Sequence, residues 1–140
     1  MNWLTWSLAS AVFAALTAIL AKVGVAGVDS NLATAIRTVV VLVFTWLLVW
    51  INPASGGIGS LTPRNWVFLA LSGIATGLSW LCYFRALQLG PASRVAPIDK
   101  LSVALVIVLA TLVLGERLTW AKGIGGMLIV AGAITIALER

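Results

Sequence analysis

Histidine is absent from this chain, cysteine occurs once, and charge is scarce. Of its 140 residues 9% are charged, four acids against nine bases. Each shortage excludes something. With no His and only Cys82, no His/Cys metal set can be assembled and no intrachain disulfide can form. There is no Gly-rich phosphate loop with its lysine, and no carboxylate pair placed at a pocket, so no enzyme constellation and no cofactor is expected. The Gly-Ile-Gly-Gly run at 123–126 lies inside an apolar segment with no strand before it, which removes a dinucleotide reading. No basic tract with interleaved aromatics is available to a nucleic acid. A soluble domain carries roughly a quarter charged residues. A chain this poor in charge could not cover its own surface in water.

What the chain has is apolar length. Hydrophobic residues make up 61% of it, and they fall into five runs, each close to the roughly 20 residues that a spanning helix needs. The spacing predicts an all-α polytopic membrane protein. Its single domain, 1–140, has transmembrane helices at about 3–23, 32–51, 66–89, 95–115 and 121–138. Closed barrels are the other structure that lipid tolerates, and these runs lack barrel-type alternation. The first run has no positive residues before it and exceeds an ordinary signal-peptide core, so it is read as a retained helix. Between the second and third runs lies the longest loop, Asn52 to Asn65. Gly90 and Pro91 end the third helix. Trp3, Trp6, Trp46, Trp50, Trp66 and Trp120 fall near predicted helix ends, the aromatic-belt pattern. Trp80 falls near the middle of helix 3, either as packed or lipid-facing filler or as one wall of a substrate cavity.

The net charge of +5 is matched most simply by phospholipid headgroups. Five spans place the termini on opposite sides. One side holds Arg64, Arg117 and Lys122; the other holds Lys22, Arg94, Lys100 and Arg140, with Arg37 and Arg85 slightly inside the helices. The bias favours a cytoplasmic C-terminus but is weak. A weak bias permits insertion in both directions and hence an antiparallel homodimer.

The stretch from Tyr83 to about Ala137 carries specific features. They are Tyr83 with Ala86-Leu87 at the end of helix 3, the proline-bearing helix 4 with Pro97, the turn Leu114-Gly115-Glu116-Arg117-Leu118-Thr119, and a helix 5 with Gly125 and Gly132. Together they resemble the C-terminal helices of an EamA domain, in the drug/metabolite transporter superfamily, and with Arg37 in helix 2 the resemblance covers essentially the whole chain. It implies one EamA-type repeat, half of a ten-helix transporter. Most members carry two such domains in tandem as inverted halves around a substrate path. A single copy implies pairing, with a second copy of itself or with a homologous half. The resemblance further implies alternating access, small amino-acid-like or other polar or amphipathic solutes, and a bacterial or archaeal inner membrane. An obligate partner of a different short chain, or a non-transporting assembly or regulatory subunit, are the alternatives. Small multidrug resistance proteins of the same superfamily use a membrane-embedded Glu in helix 1. Here helix 1 has no acid, so that carboxylate mechanism is not expected.

Within the helices, Ser72, Thr76, Ser79 and Tyr83 share one stripe of helix 3, beside Gly73, Gly77, Trp80 and Phe84. Helix 1 has a small, mildly polar stripe of Ser7, Ser10 and Thr17. Two readings stand for both stripes: hydroxyls bonded to their own backbone with tight helix packing, or the lining of a substrate path. Arg37, Arg85, Asp99 and Lys100 approach one membrane face. Either they snorkel and neutralise one another, or they form a charged vestibule. There Arg37 or Arg85 would hold a carboxylate, and Asp99 an amine or a proton. Pro97 is expected to be structural, as are Gly115, Glu116 and Arg117. Glu116 is expected to accept N–H bonds at the start of helix 5. The stripe Gly125, Ile129, Gly132 and Ile136 is the expected dimer contact, since in tandem relatives the last helices help join the halves. No metal site is expected. The lipid bilayer, a small solute and a second half are the expected partners.

Overall fold

The computed structural model describes residues 2–52 and 57–139. The four residues 53–56 of the predicted long loop, and Arg140 from the charge count, lie outside the described residues. Among the described residues the regular structure is helical: α1 (Trp3–Gly24), α2 (Ser30–Ile51), a 3₁₀ turn (Ile58–Ser60), α3 (Pro63–Leu89), α4 (Ala92–Asp99), α5 (Leu101–Val113) and α6 (Trp120–Ala137). Five segments are long and apolar enough to cross a membrane, with α4 and α5 together forming one of them, Ala92–Val113. Large apolar side chains are exposed along all of them, Met127 at 75% and Trp120 at 89% among others. Continuous apolar surface on this scale has no place in water. The chain is an integral, multi-pass membrane protein.

Helix starts follow capping chemistry rather than hydropathy. Asp29 accepts hydrogen bonds from the Asn31 and Leu32 amides at 2.9 and 3.0 Å, so α2 opens at Ser30, ahead of its apolar run. Thr62 accepts from the Asn65 amide at 3.2 Å, and Pro63 occupies the first helical position, where its missing N–H costs nothing. That extends α3 to include polar Arg64 and Asn65, which hydropathy alone assigns to the loop.

The fourth span is not one continuous helix. It opens at Ala92, with Pro97 inside α4, and is interrupted at Lys100. There the backbone tightens, the Lys100 amide bonding the Pro97 carbonyl at 3.1 Å before α5 resumes. Gly115 ends the span in the left-handed region, at φ 68°, a conformation that glycine adopts without steric cost. The Glu116 amide then folds back onto the Ala110 carbonyl at 3.2 Å.

Two compact units divide the chain. One is Val23–Gln88; the other combines the chain before it with the chain from Leu89 onward. In the second unit, α4 and α5 both pack on α6. Gly126 suits the α5 contact: a Cβ there would lie 3.3 Å from the Ile107 Cδ1 atom. Gly126 and Ala133, two turns apart, are the buried positions of α6. In the first unit, the Gln88 side-chain amide donates to the Val28 carbonyl. This bond ties the end of α3 to the loop that leads into α2.

Candidate functional site

Lipid offers no hydrogen bonds, so polar side chains inside a span must find partners within the protein. Threonine does this locally. Thr34, Thr38, Thr45, Thr76, Thr111 and Thr135 each donate to the carbonyl four residues earlier. Thr76 thereby closes on Ser72, two members of the predicted hydroxyl stripe of α3. Ser7 closes in the same way on Trp3. Ser10, Ser72 and Ser79 are exposed, Thr17 and Tyr83 half-buried.

The neighbouring stripe of α3 is different. Arg37 of α2 lays its guanidinium over the Trp80 ring, 4.2 Å from the centroid, and over Phe84 at 5.4 Å. Trp80 and Phe84 are one turn apart on α3, so they form a single aromatic wall. Phe84 is 3% exposed, and Arg37 and Trp80 are half-buried. A guanidinium over an aromatic face gains the more as water is excluded. Tyr83 lies close enough to interact electrostatically with Arg37. One and two turns deeper along the same stripe, a Cβ at Gly77 or Gly73 would meet nothing within 4 Å, so that part of the wall is open.

Sequence reasoning singled out Arg37 and Trp80 separately and did not pair them. A signal was present. Counting from the start of α2, Arg37 lies roughly 10 Å in, and counting back from the end of α3, Trp80 lies roughly 13 Å in. Antiparallel neighbours place such residues at similar depth. Because α2 starts at Ser30, Arg37 is also deeper than an onset at Leu32 implies.

The other predicted charges are engaged elsewhere. Exposed Arg85 donates to the Gln88 side-chain oxygen at 3.0 Å. Asp99 and Lys100 pair with each other at 3.3 Å, at the interruption between α4 and α5. Pro97 is half-buried in α4. Glu116 pairs with the Lys122 ammonium at 3.0 Å. Glu116 was expected to accept N–H bonds at this helix start, but the cap is Thr119, which accepts the Lys122 N–H at 3.3 Å. Threonine at the cap position outcompetes a carboxylate that the turn carries further away. Gly115 and Arg117 are exposed in that turn. On α6, Gly125 and Gly132 have open space where a Cβ would be, and Ile129 and Ile136 are about 40% exposed, at 39% and 40%. Their stripe is therefore turned away from the Gly126 packing face. An apolar groove of about 470 Å³ runs between α5 and α6 along that packing face, lined by Ile107, Val108, Gly126, Met127, Val130 and Ile134 among others. Among the described residues no group of three or more Cys, Asp or Glu residues could hold a metal ion.

Comparison with known proteins agrees with this architecture. A protein of Sinorhizobium sp., described as an uncharacterized transporter in the cobO 3' region, is 50% identical over 142 residues, covering 98% of this chain and 97% of the relative. No solved structure matches the chain. Residues 1–138 match the EamA-like transporter family, and the chain belongs to that family.

Proposed function

We propose that this chain is one half of a small-solute transporter of a bacterial or archaeal inner membrane, and that it works as an antiparallel pair by alternating access. The observation that carries the reading is a fixed guanidinium on an aromatic wall inside two membrane-length helices, Arg37 over Trp80 and Phe84. Ionisable groups at such depth mark solute or ion pathways. The opening at Gly77 and Gly73 beside that wall supplies room for a solute. Inverted halves around a midplane site are the common transporter plan, and a chain with one repeat completes that plan by pairing. The Gly125, Ile129, Gly132 and Ile136 stripe is the proposed contact, because small residues allow close helix approach in lipid.

Reconstituted protein tests this. Flux of a panel of anionic, neutral and cationic small solutes would be measured in proteoliposomes for the wild type, Gly77→Trp and Trp80→Ala. Saturable flux in the wild type, reduced about tenfold or more in both variants at equal insertion, is expected. Normal flux in both variants would remove the site assignment. No flux, with a different membrane protein copurifying, would instead support an assembly or regulatory role.

A further inference from the structure

We propose that Arg37 is an oxyanion-binding residue and that the solutes this chain moves carry a carboxylate; the second half of this statement rests on the transport reading above.

The argument starts from how the guanidinium is held. A snorkelling arginine runs toward the headgroups. Here the nearer ring is Trp80 at 4.2 Å, and Trp80 lies one turn further from that membrane face than Phe84, at 5.4 Å. The charge therefore leans toward the deeper ring. A ring beneath the guanidinium engages its charge without accepting its N–H groups in the plane of the fork, and that fork matches the two oxygens of a carboxylate. Within Val23–Gln88 the one carboxylate is Asp29. It accepts the Asn31 and Leu32 amides and lies about 12 Å along the helix from Arg37. This unit holds a positive charge fixed in the membrane without supplying its anion.

The other candidates raised by the sequence are less suited. Arg85 is exposed and spends its guanidinium on Gln88. Asp99, the candidate for an amine, already faces Lys100. The open positions at Gly77 and Gly73 lie along the stripe that carries Trp80, where the body of a carboxylate solute would rest once its oxygens met Arg37.

Soluble carboxylates and lipid phosphates share this oxyanion chemistry, so the experiment separates them. Purified protein in phosphate-free detergent would be challenged with succinate and benzoate, with their uncharged amides, and with putrescine, all at matched ionic strength. Thermal stability reports binding. Labelled forms of the same compounds report flux in proteoliposomes. At least one carboxylate is expected to raise Tm and to be transported, with the amides and putrescine inactive. Arg37→Gln should weaken carboxylate binding by about ten- to a hundredfold, the range for a charged hydrogen-bonding partner. Arg37→Lys should fall between, since an ammonium keeps the charge but loses the fork and the stacking. Arg37→Gln removes a charge from the membrane interior and should insert at least as well as the wild type, and a single symmetric peak in size-exclusion chromatography in detergent separates its loss of binding from misfolding.

Carboxylate binding unchanged in Arg37→Gln would overturn the proposal. So would transport of the amides or putrescine without either carboxylate, an outcome that leaves the transport reading intact. Arg37-dependent carboxylate binding with no flux of any compound would uphold the oxyanion site and sink the transport reading. An Arg37-dependent shift produced by added phospholipid and by neither carboxylate would assign the site to a lipid phosphate and overturn the solute proposal.

Discussion

At the scale of single residues, what separates a solute-facing side chain from a packing one is where its polar atom is already spent. Thr76 gives its hydroxyl to the Ser72 carbonyl at 2.9 Å, so Thr76→Val should leave flux within about twofold of the wild type, a change that removes only a local backbone bond. Trp80→Phe keeps a ring under Arg37 but weakens the attraction, because Trp presents the best face to a cation. It should retain more transport than Trp80→Ala, as initial rates in proteoliposomes would show. Both Arg37 and Trp80 stand out in the sequence, one as a charge inside an apolar run and the other as a tryptophan away from the interfacial belt. Their matching depths hint at a pairing but do not fix it, because it also depends on which helices are neighbours and at what rotation, which residue spacing along one helix does not give. The hydroxyl stripe of α3 is visible by the same spacing rule. The rule cannot tell a hydroxyl turned outward from one bonded to its own backbone.

At the scale of elements, the five spans were legible because lipid demands length and apolarity, which a sequence displays directly. Their ends were less so. Hydropathy places the third span from Trp66, whereas Thr62 and Pro63 start it a turn earlier through a cap that charge and polarity disguise as loop. The interruption at Lys100 has no glycine or proline at the break itself, and Pro97 precedes it by most of a turn. Sequence reading offers one proline-bearing helix with Pro97 in a structural role, not two helices. The α6 end is testable. Thr119→Ala should cost about 1 kcal/mol of stability in detergent unfolding, and Thr119→Ser should restore most of it, since either hydroxyl can accept the Lys122 amide. Gly126→Leu should cost more, about 1–3 kcal/mol, because its side chain would press on Ile107. Equal melting of Gly126→Leu and wild type would remove Gly126 from the α5–α6 contact.

At the scale of the whole molecule, the family places the chain among transporters, and the proposed pairing of two halves can be tested on α6. Two stripes of α6 have distinct expected behaviour. A cysteine at Gly132, in a Cys82→Ala background, should crosslink copies to one another across the proposed contact, and one at Met127 on the groove side should not. Efficient crosslinking at Met127 alone would move the contact to the groove. A tag after Arg140, probed with an impermeant reagent in right-side-out and inverted vesicles, should label about half the copies from each side if insertion is dual, as a weak charge bias permits. Labelling only in inverted vesicles would point to an oppositely oriented partner chain. The turn after α5 bears on what such labelling would read. From Leu114 to Thr119 the chain reverses through a left-handed glycine and a cap, and α6 packs back on α5. A connection this short makes the two helices a hairpin, so the Glu116–Lys122 pair at its tip and the C-terminus should be reached from opposite membrane faces, whichever way a given copy is inserted.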